Sequence, residues 1–303
     1  MGTVDWLKGI FPPIATAFAP DGSLAQPPPG FFELLQASGI DGVVALGSNG
    51  EAPQLTEVER LQWMRSVKAS LPSPLRLIAG TGAESTIATI ERTRAAAAEG
   101  AEAALVIAPS YYRRHLTLDA LTRHYAAVAE VSPIPILIYN VPGNMGYDLG
   151  PDWLVELALH SKVAGLKDSS GDTPRLPAMR ERLGSDVVIL TGTGEKMFDA
   201  LSAGADGAIA ALANLAPAAS ANIRRVFIEG QLEQARHLQR TIAPLGEAMT
   251  RQYGVPGLKA ALRMLGYDHG DPRPPLPPLA ENELPVIRSL LEDAQLMPRA
   301  LAS

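Results

Sequence analysis

Lys167 directly follows the apolar run 163–166, and Tyr139 ends the apolar run 134–139. An amine and a phenol so placed at strand ends are a minimal apparatus for imine chemistry. Burial disfavours an ammonium, and a free amine attacks a ketone carbonyl to give an iminium that withdraws electrons from the adjacent carbon. Carbon–carbon bonds can then break or form without a metal, while a nearby phenol exchanges protons with the carbinolamine and a substrate hydroxyl. Each residue has a plainer alternative: Lys167 paired structurally with Asp168, and Tyr139 capping a barrel with its hydroxyl on backbone or water.

Other polar residues fall at the ends of apolar runs too. Ser48 and Asn49 lie between Gly47 and Gly50, where small residues let backbone N–H groups approach a carboxylate, or simply form a tight turn. Gly192-Thr193-Gly194 precedes a helical stretch and offers either an anion site or an ordinary βα turn. The five histidines, His115, His124, His160, His237 and His269, show no metal-ligand spacing, so no metal is expected. No nucleophile elbow, phosphate-binding loop or dinucleotide fingerprint occurs, and no cofactor is expected.

The elements that must position these groups are short and regular. Eight apolar runs, at 14–18, 42–46, 75–79, 103–108, 134–139, 163–166, 187–190 and 208–210, are candidate strands. They are apolar on both faces, as in parallel strands buried on both sides. Helical patterns separate them. Thr56 and Glu59 form a capping box before Val58, Leu61, Met64, Val67 and Leu71, and a second helix starts at Thr117, with Leu118, Leu121, Tyr125 and Val128 on one face. Gly100 and Gly204 sit where helix C-caps are expected. Eight strands alternating with helices predict an α/β fold closed as a (β/α)₈ TIM barrel, with a doubly wound open sheet as the alternative. Residues 1–222 form the barrel in this reading. Residues 223–303 form a C-terminal helical extension, with helix expected at about 215–250, 256–265 and 282–294 around an extended Pro-rich connection at 272–278.

The chain has 303 residues, no cysteine and a net charge of −6. Disulfides, thiolate metal sites and a cysteine nucleophile are excluded. No basic run tracks a phosphate backbone, so nucleic acid is not an expected partner. The longest uncharged stretch, 207–223, is broken by Asn214 and Pro217 and does not read as a membrane span. Residues 1–6 resemble neither a signal nor a transit peptide, and a cytoplasmic location is expected.

Five ordered motifs carry a resemblance. Gly47-Ser48-Asn49-Gly50-Glu51, Ser110-Tyr111-Tyr112, Tyr139-Asn140-Val141-Pro142, Gly165-Leu166-Lys167-Asp168-Ser169 and Gly204-Ala205-Asp206-Gly207 together resemble the dihydrodipicolinate synthase / N-acetylneuraminate lyase family. The likeness extends from Gly9-Ile10 to Tyr253-Gly254-Val255-Pro256-Gly257-Leu258-Lys259-Ala260. It implies a barrel with a C-terminal helical extension, a homotetramer built as a dimer of dimers, and a 2-keto acid such as pyruvate as the small-molecule partner. It also implies Lys167 as the Schiff-base lysine, Tyr139 as proton shuttle, Ser48 as carboxylate ligand and proton relay, and Tyr112 reaching a neighbouring subunit's site, with Tyr111 the alternative. Asn49, Ser169, Asn144, Gly192 and Ile209 are the substrate contacts it implies.

One departure bears on the substrate. Synthases of this family carry an arginine two residues after the Y-N-V-P segment, where it grips the aldehyde substrate's carboxylate, and this chain has Gly143-Asn144. The motif set looks more like 4-hydroxy-2-oxoglutarate aldolase, with Arg113 or Arg114 as candidates to replace the missing clamp. The expectation is an aldolase cleaving a 4-hydroxy-2-keto acid to pyruvate and an aldehyde. Alternatives are dihydrodipicolinate synthase and a 2-keto-3-deoxy sugar acid aldolase or dehydratase. A barrel that only binds a keto acid, as sensor or scaffold, is the competing class.

Overall fold

The structure is a computed structural model, and it describes residues 4–159 and 163–298. His160, residues 1–3 of the N-terminal reading and residues 299–303 of the extension lie outside the described residues. Seven parallel strands form one sheet in sequential order: β1 (Gly42–Ala45), β2 (Arg76–Gly80), β3 (Ala103–Ile107), β4 (Ile136–Asn140), β5 (Val163–Asp168), β6 (Val188–Thr191) and β7 (Gly207–Ala208). They correspond to the second through eighth expected strands, and apart from the exposed Arg76 and half-buried Ile107 their residues are buried.

The first expected strand is the one that moves. Residues 9–14, not 14–18, close the sheet. The Phe11 N–H donates to the Ala208 carbonyl at 2.9 Å and the Val44 N–H to the Pro12 carbonyl at 2.9 Å, joining β7 to β1. Parallel bridges pair Ile10 with Ala208 and Pro13 with Val44. Pro12 and Pro13 have no N–H to donate, so this eighth stave makes bridges where the others make ladders. Phe18 instead bridges antiparallel to Leu24 in the loop beyond. The barrel is therefore closed, with helices outside it.

The helix signals hold. Thr56 and Glu59 form the capping box of helix Glu57–Ser70, and Thr117 caps helix Leu118–Val131. Gly100 and Gly204 have φ of +89° and +101°, the left-handed conformation that ends a helix with least steric cost in glycine. Helix Pro217–Ile228 stops before Gly230, and Leu232–Glu247 follows, so the helix expected at about 215–250 is broken by a turn. Helices Leu232–Glu247, Gly254–Met264 and Leu284–Asp293 bury Ile242, Leu245, Leu258, Leu262, Ile287 and Leu291 in a core shared with β1 and β2. No described helix is long and apolar enough to cross a membrane.

Candidate active site

Strands β4 and β5 pair Tyr139 with Lys167 and Asn140 with Asp168. Side chains alternate across a strand, so the first pair shares one face and the second pair the other. On the first face the Lys167 Nζ lies 4.2 Å from the centre of the Tyr139 ring. The Tyr139 hydroxyl is 3.3 Å from Ser48 Oγ, which arrives from the loop after β1. Ser169 follows Lys167 by two residues, and its Oγ would stand 1.8 Å from a Cβ on residue 192. The same Cβ would lie 3.1 Å from Lys167 Cε, so only glycine fits at Gly192 while these two side chains keep their places. Lys167, Tyr139, Ser48, Ser169 and Gly192 thus converge, although they come from four strand ends.

The remaining expected residues are placed less tightly. Asn49 sits beside Ser48 on the turn Ser48–Gly50 and is half-buried. Ile209 is fully buried, its N–H donating to the Thr191 carbonyl at 2.9 Å. Asn144 is exposed on the short helix Pro142–Met145. Tyr112 is 67% exposed and packs edge-on against Tyr111, ring centres 4.9 Å apart, outside the Lys167 cluster of its own chain. Glu84 holds that loop by accepting from the Ser110 and Tyr111 N–H groups at 3.0 and 2.9 Å.

The opposite face explains why Asp168 does not pair with Lys167. Asp168 accepts from the Arg175 guanidinium at 2.5 and 2.9 Å and from Asn140 Nδ2 at 2.8 Å. Arg175 and Asn140 also donate to Asp148, at 2.7 and 2.8 Å. The structural pairing of Lys167 with Asp168 does not form. Lys167 is only 5% exposed and makes no ion pair among the described residues. Burial opposes ionisation of Asp148, but the Arg175 and Asn140 hydrogen bonds outweigh it and hold its pKa below the usual value. Burial likewise opposes the Arg175 charge, and Asp168 and Asp148 overcome it. This network locks β4, β5 and the loop bearing Asn144 together. Sequence reasoning missed Arg175 and Asp148, because neither shares a local pattern with Asp168; Asn140 was visible only as part of its motif.

The loops after β3 and β4 are also joined. The Tyr147 hydroxyl donates to the Pro109 carbonyl at 2.7 Å, and burial pushes its pKa up to about 12. Arg113 Nε lies 3.5 Å from the Cβ position of Gly146, which brings its guanidinium beside the Asn144 loop.

Comparison with known proteins decides the family. The sequence profile described as "Dihydrodipicolinate synthetase family" matches residues 6–294. The chain belongs to the dihydrodipicolinate synthetase family. It is similar to a 4-hydroxy-tetrahydrodipicolinate synthase of Methanothrix thermoacetophila, 35% identical over 94% of this chain and 96% of that protein. Among solved structures, the chloride-inhibited dihydrodipicolinate synthase of Acinetobacter baumannii, complexed with pyruvate, superposes with a TM-score of 0.89 at 34% identity, covering 95% of this chain and 99% of the other. YagE, a family member from E. coli K12 also complexed with pyruvate, gives 0.88 at 30% identity with the same coverage. As a member of the dihydrodipicolinate synthetase family, the chain is a lyase on a (β/α)₈ barrel.

Proposed function

We propose that the chain is a Schiff-base-forming aldolase that cleaves a 4-hydroxy-2-keto acid to pyruvate and an aldehyde, with 4-hydroxy-2-oxoglutarate the favoured substrate and glyoxylate the aldehyde. The observation that carries this reading is a buried lysine with no counter-charge among the described residues, stacked on a tyrosine whose hydroxyl meets a serine. The Lys167 amine adds to the substrate's C2 carbonyl, and loss of water gives the iminium. Removal of the C4 hydroxyl proton breaks the C3–C4 bond, the electron pair passes into the enamine, and the aldehyde leaves. Protonation at C3 and hydrolysis release pyruvate and return the amine. Tyr139 is placed to move the protons, with Ser48 as relay and as ligand of the keto-acid carboxylate beside Asn49. Ser169, Gly192 and Ile209 line the same space in this reading.

Arg113 supports a dicarboxylate substrate. Among the described residues it forms no ion pair, and it stands beside the loop that bears Asn144, where a distal carboxylate would need a cation. The second reading is 4-hydroxy-tetrahydrodipicolinate synthase, favoured by the names of the relatives. The exposed Tyr111–Tyr112 pair supports a homotetramer in which Tyr112 meets a neighbouring subunit's site. Residues 1–222 as catalytic barrel, residues 223–303 as packed extension, and residence in the cytoplasm complete the proposal.

The test is intact mass after incubation with pyruvate and sodium borohydride, followed by peptide mapping. A reduced adduct on Lys167 is the expected result, and a folded protein without one sinks the reading. Turnover of 4-hydroxy-2-oxoglutarate set against condensation of pyruvate with aspartate semialdehyde then separates the two substrates.

A further inference from the structure

The turn that carries Ser48 and Asn49 is bracketed by two non-glycine residues in the left-handed region, Leu46 at φ +59° and Glu51 at φ +52°. Such a conformation persists only where the surroundings over-determine it. For Glu51 the surroundings are the C-terminal extension. Its carboxylate is buried, with Oε1 2.7 Å from Lys259 Nζ and Oε2 accepting the Arg273 N–H at 2.8 Å. Lys259, on helix Gly254–Met264, is 1% exposed and also donates to the Asp271 carbonyl at 3.1 Å. The Lys259 and Arg273 cations each lie 4.4 Å from the centre of the Phe18 ring. Arg273 goes on to the carbonyls of Gly22 and Gln54 and to the Glu59 carboxylate. Thr16 Oγ1 holds the Gly50 carbonyl at 2.6 Å.

Net stabilisation is a weak explanation for such a pair, because taking two charges out of water offsets most of their attraction and apolar residues of the same shape hold a core as well. Placement is what the pair provides. It ties a strained turn to a helix more than 200 residues away in sequence. Burial lowers the Lys259 pKa, and Glu51 and Asp271 act against that shift.

We propose that Glu51 and Lys259 are positioning residues: the buried pair holds Ser48 and Asn49 in the shape that receives the keto-acid carboxylate, which makes the C-terminal extension a working part of the substrate site. This rests on the Schiff-base reading of Lys167. The experiment follows the borohydride-trapped Lys167 adduct against pyruvate concentration in the full-length wild type and in the Glu51→Gln/Lys259→Met double variant, with thermal melting by circular dichroism alongside. The double variant removes both charges and leaves neither buried alone. Expected is a folded protein whose half-saturating pyruvate rises by about tenfold or more, while the trapping rate at saturation stays within about threefold. A folded double variant with wild-type half-saturation overturns the proposal, as does a lost saturating rate at unchanged half-saturation. If the double variant does not fold, Glu51→Asp, which keeps the charge and withdraws the carboxylate by one carbon, is read by the same criteria. A wild-type chain that gives no adduct overturns the underlying reading, and the proposal falls with it.

Discussion

Lys167 and Lys259 are both withdrawn from solvent, 5% and 1% exposed, and both lie over an aromatic ring, Tyr139 and Phe18. They differ in their carboxylates. Lys259 has Glu51 at 2.7 Å. Lys167 has a carboxylate next to it in sequence, but the strand's alternation turns Asp168 to the other face, where Arg175 takes it. Burial lowers the Lys259 pKa and the Glu51 carboxylate acts against that shift, so this nitrogen is engaged with an acid. Lys167 makes no ion pair among the described residues, and its nitrogen is the group that adds to the carbonyl carbon in the proposed imine. In the proposed reading two similar burials serve different ends, and the placement of the neighbouring acid separates them.

The comparison breaks most readily at Lys167 itself. Lys167→Met should lower kcat/KM by about 10⁴-fold or more, abolish the borohydride adduct and leave urea stability unchanged or raised. Wild-type activity in that variant would remove the distinction. The converse change, Lys259→Met, strands the Glu51 carboxylate, and urea denaturation should show a loss of about 3–5 kcal/mol. A loss below about 1 kcal/mol would mean that Glu51 is not committed to Lys259 as the geometry indicates.

Tyr139→Phe keeps the ring over Lys167 and removes only the hydroxyl that meets Ser48. Turnover should fall by about 10²–10⁴-fold while pyruvate still forms a trappable adduct, more slowly. Unchanged turnover would move proton transfer to another group.

The smallest effect is on pH, and it sharpens the Lys259 side. His269 is buried against Phe31, with Nδ1 on the Tyr267 carbonyl, and its pKa is lowered to about 4 from 6.5 chiefly by burial, with Lys259 contributing. The unfolded chain takes up this proton first as pH falls. The histidine's contribution is therefore complete above about pH 6.5 and is lost progressively down to about pH 4, to a total of about 3 kcal/mol. Between those limits the wild type, measured by urea, should lose about 3 kcal/mol more stability than His269→Gln. Parallel curves would show that the histidine does not titrate on unfolding.

Much of this was legible in local pattern. The capping box at Thr56 and Glu59, the cap at Thr117, and the helix-ending glycines Gly100 and Gly204 each act over a few residues, and each forms as read. The first strand was displaced because an apolar run at 14–18 outweighed a segment whose paired prolines make poor strand residues; closure of the barrel, a long-range event, selects 9–14 instead. The same division runs through the site. The strand-end places of Lys167 and Tyr139 are visible in the sequence, and the structure pairs them across β4 and β5, whereas Arg175 and Asp148 carried no comparable signal.

What the sequence by itself determined is the barrel and the strand ends that carry Ser48, Tyr139, Lys167 and Gly192, since apolar runs separated by helical patterns and strand-end motifs are properties of neighbouring residues. Tertiary structure alone decided the partners of the charges. Asp168 could have neutralised Lys167 and does not. Glu51 and Lys259 stand more than 200 residues apart and do pair. Ion pairing acts across a few ångströms of space, and no local pattern in a chain reports which distant charges folding will bring that close.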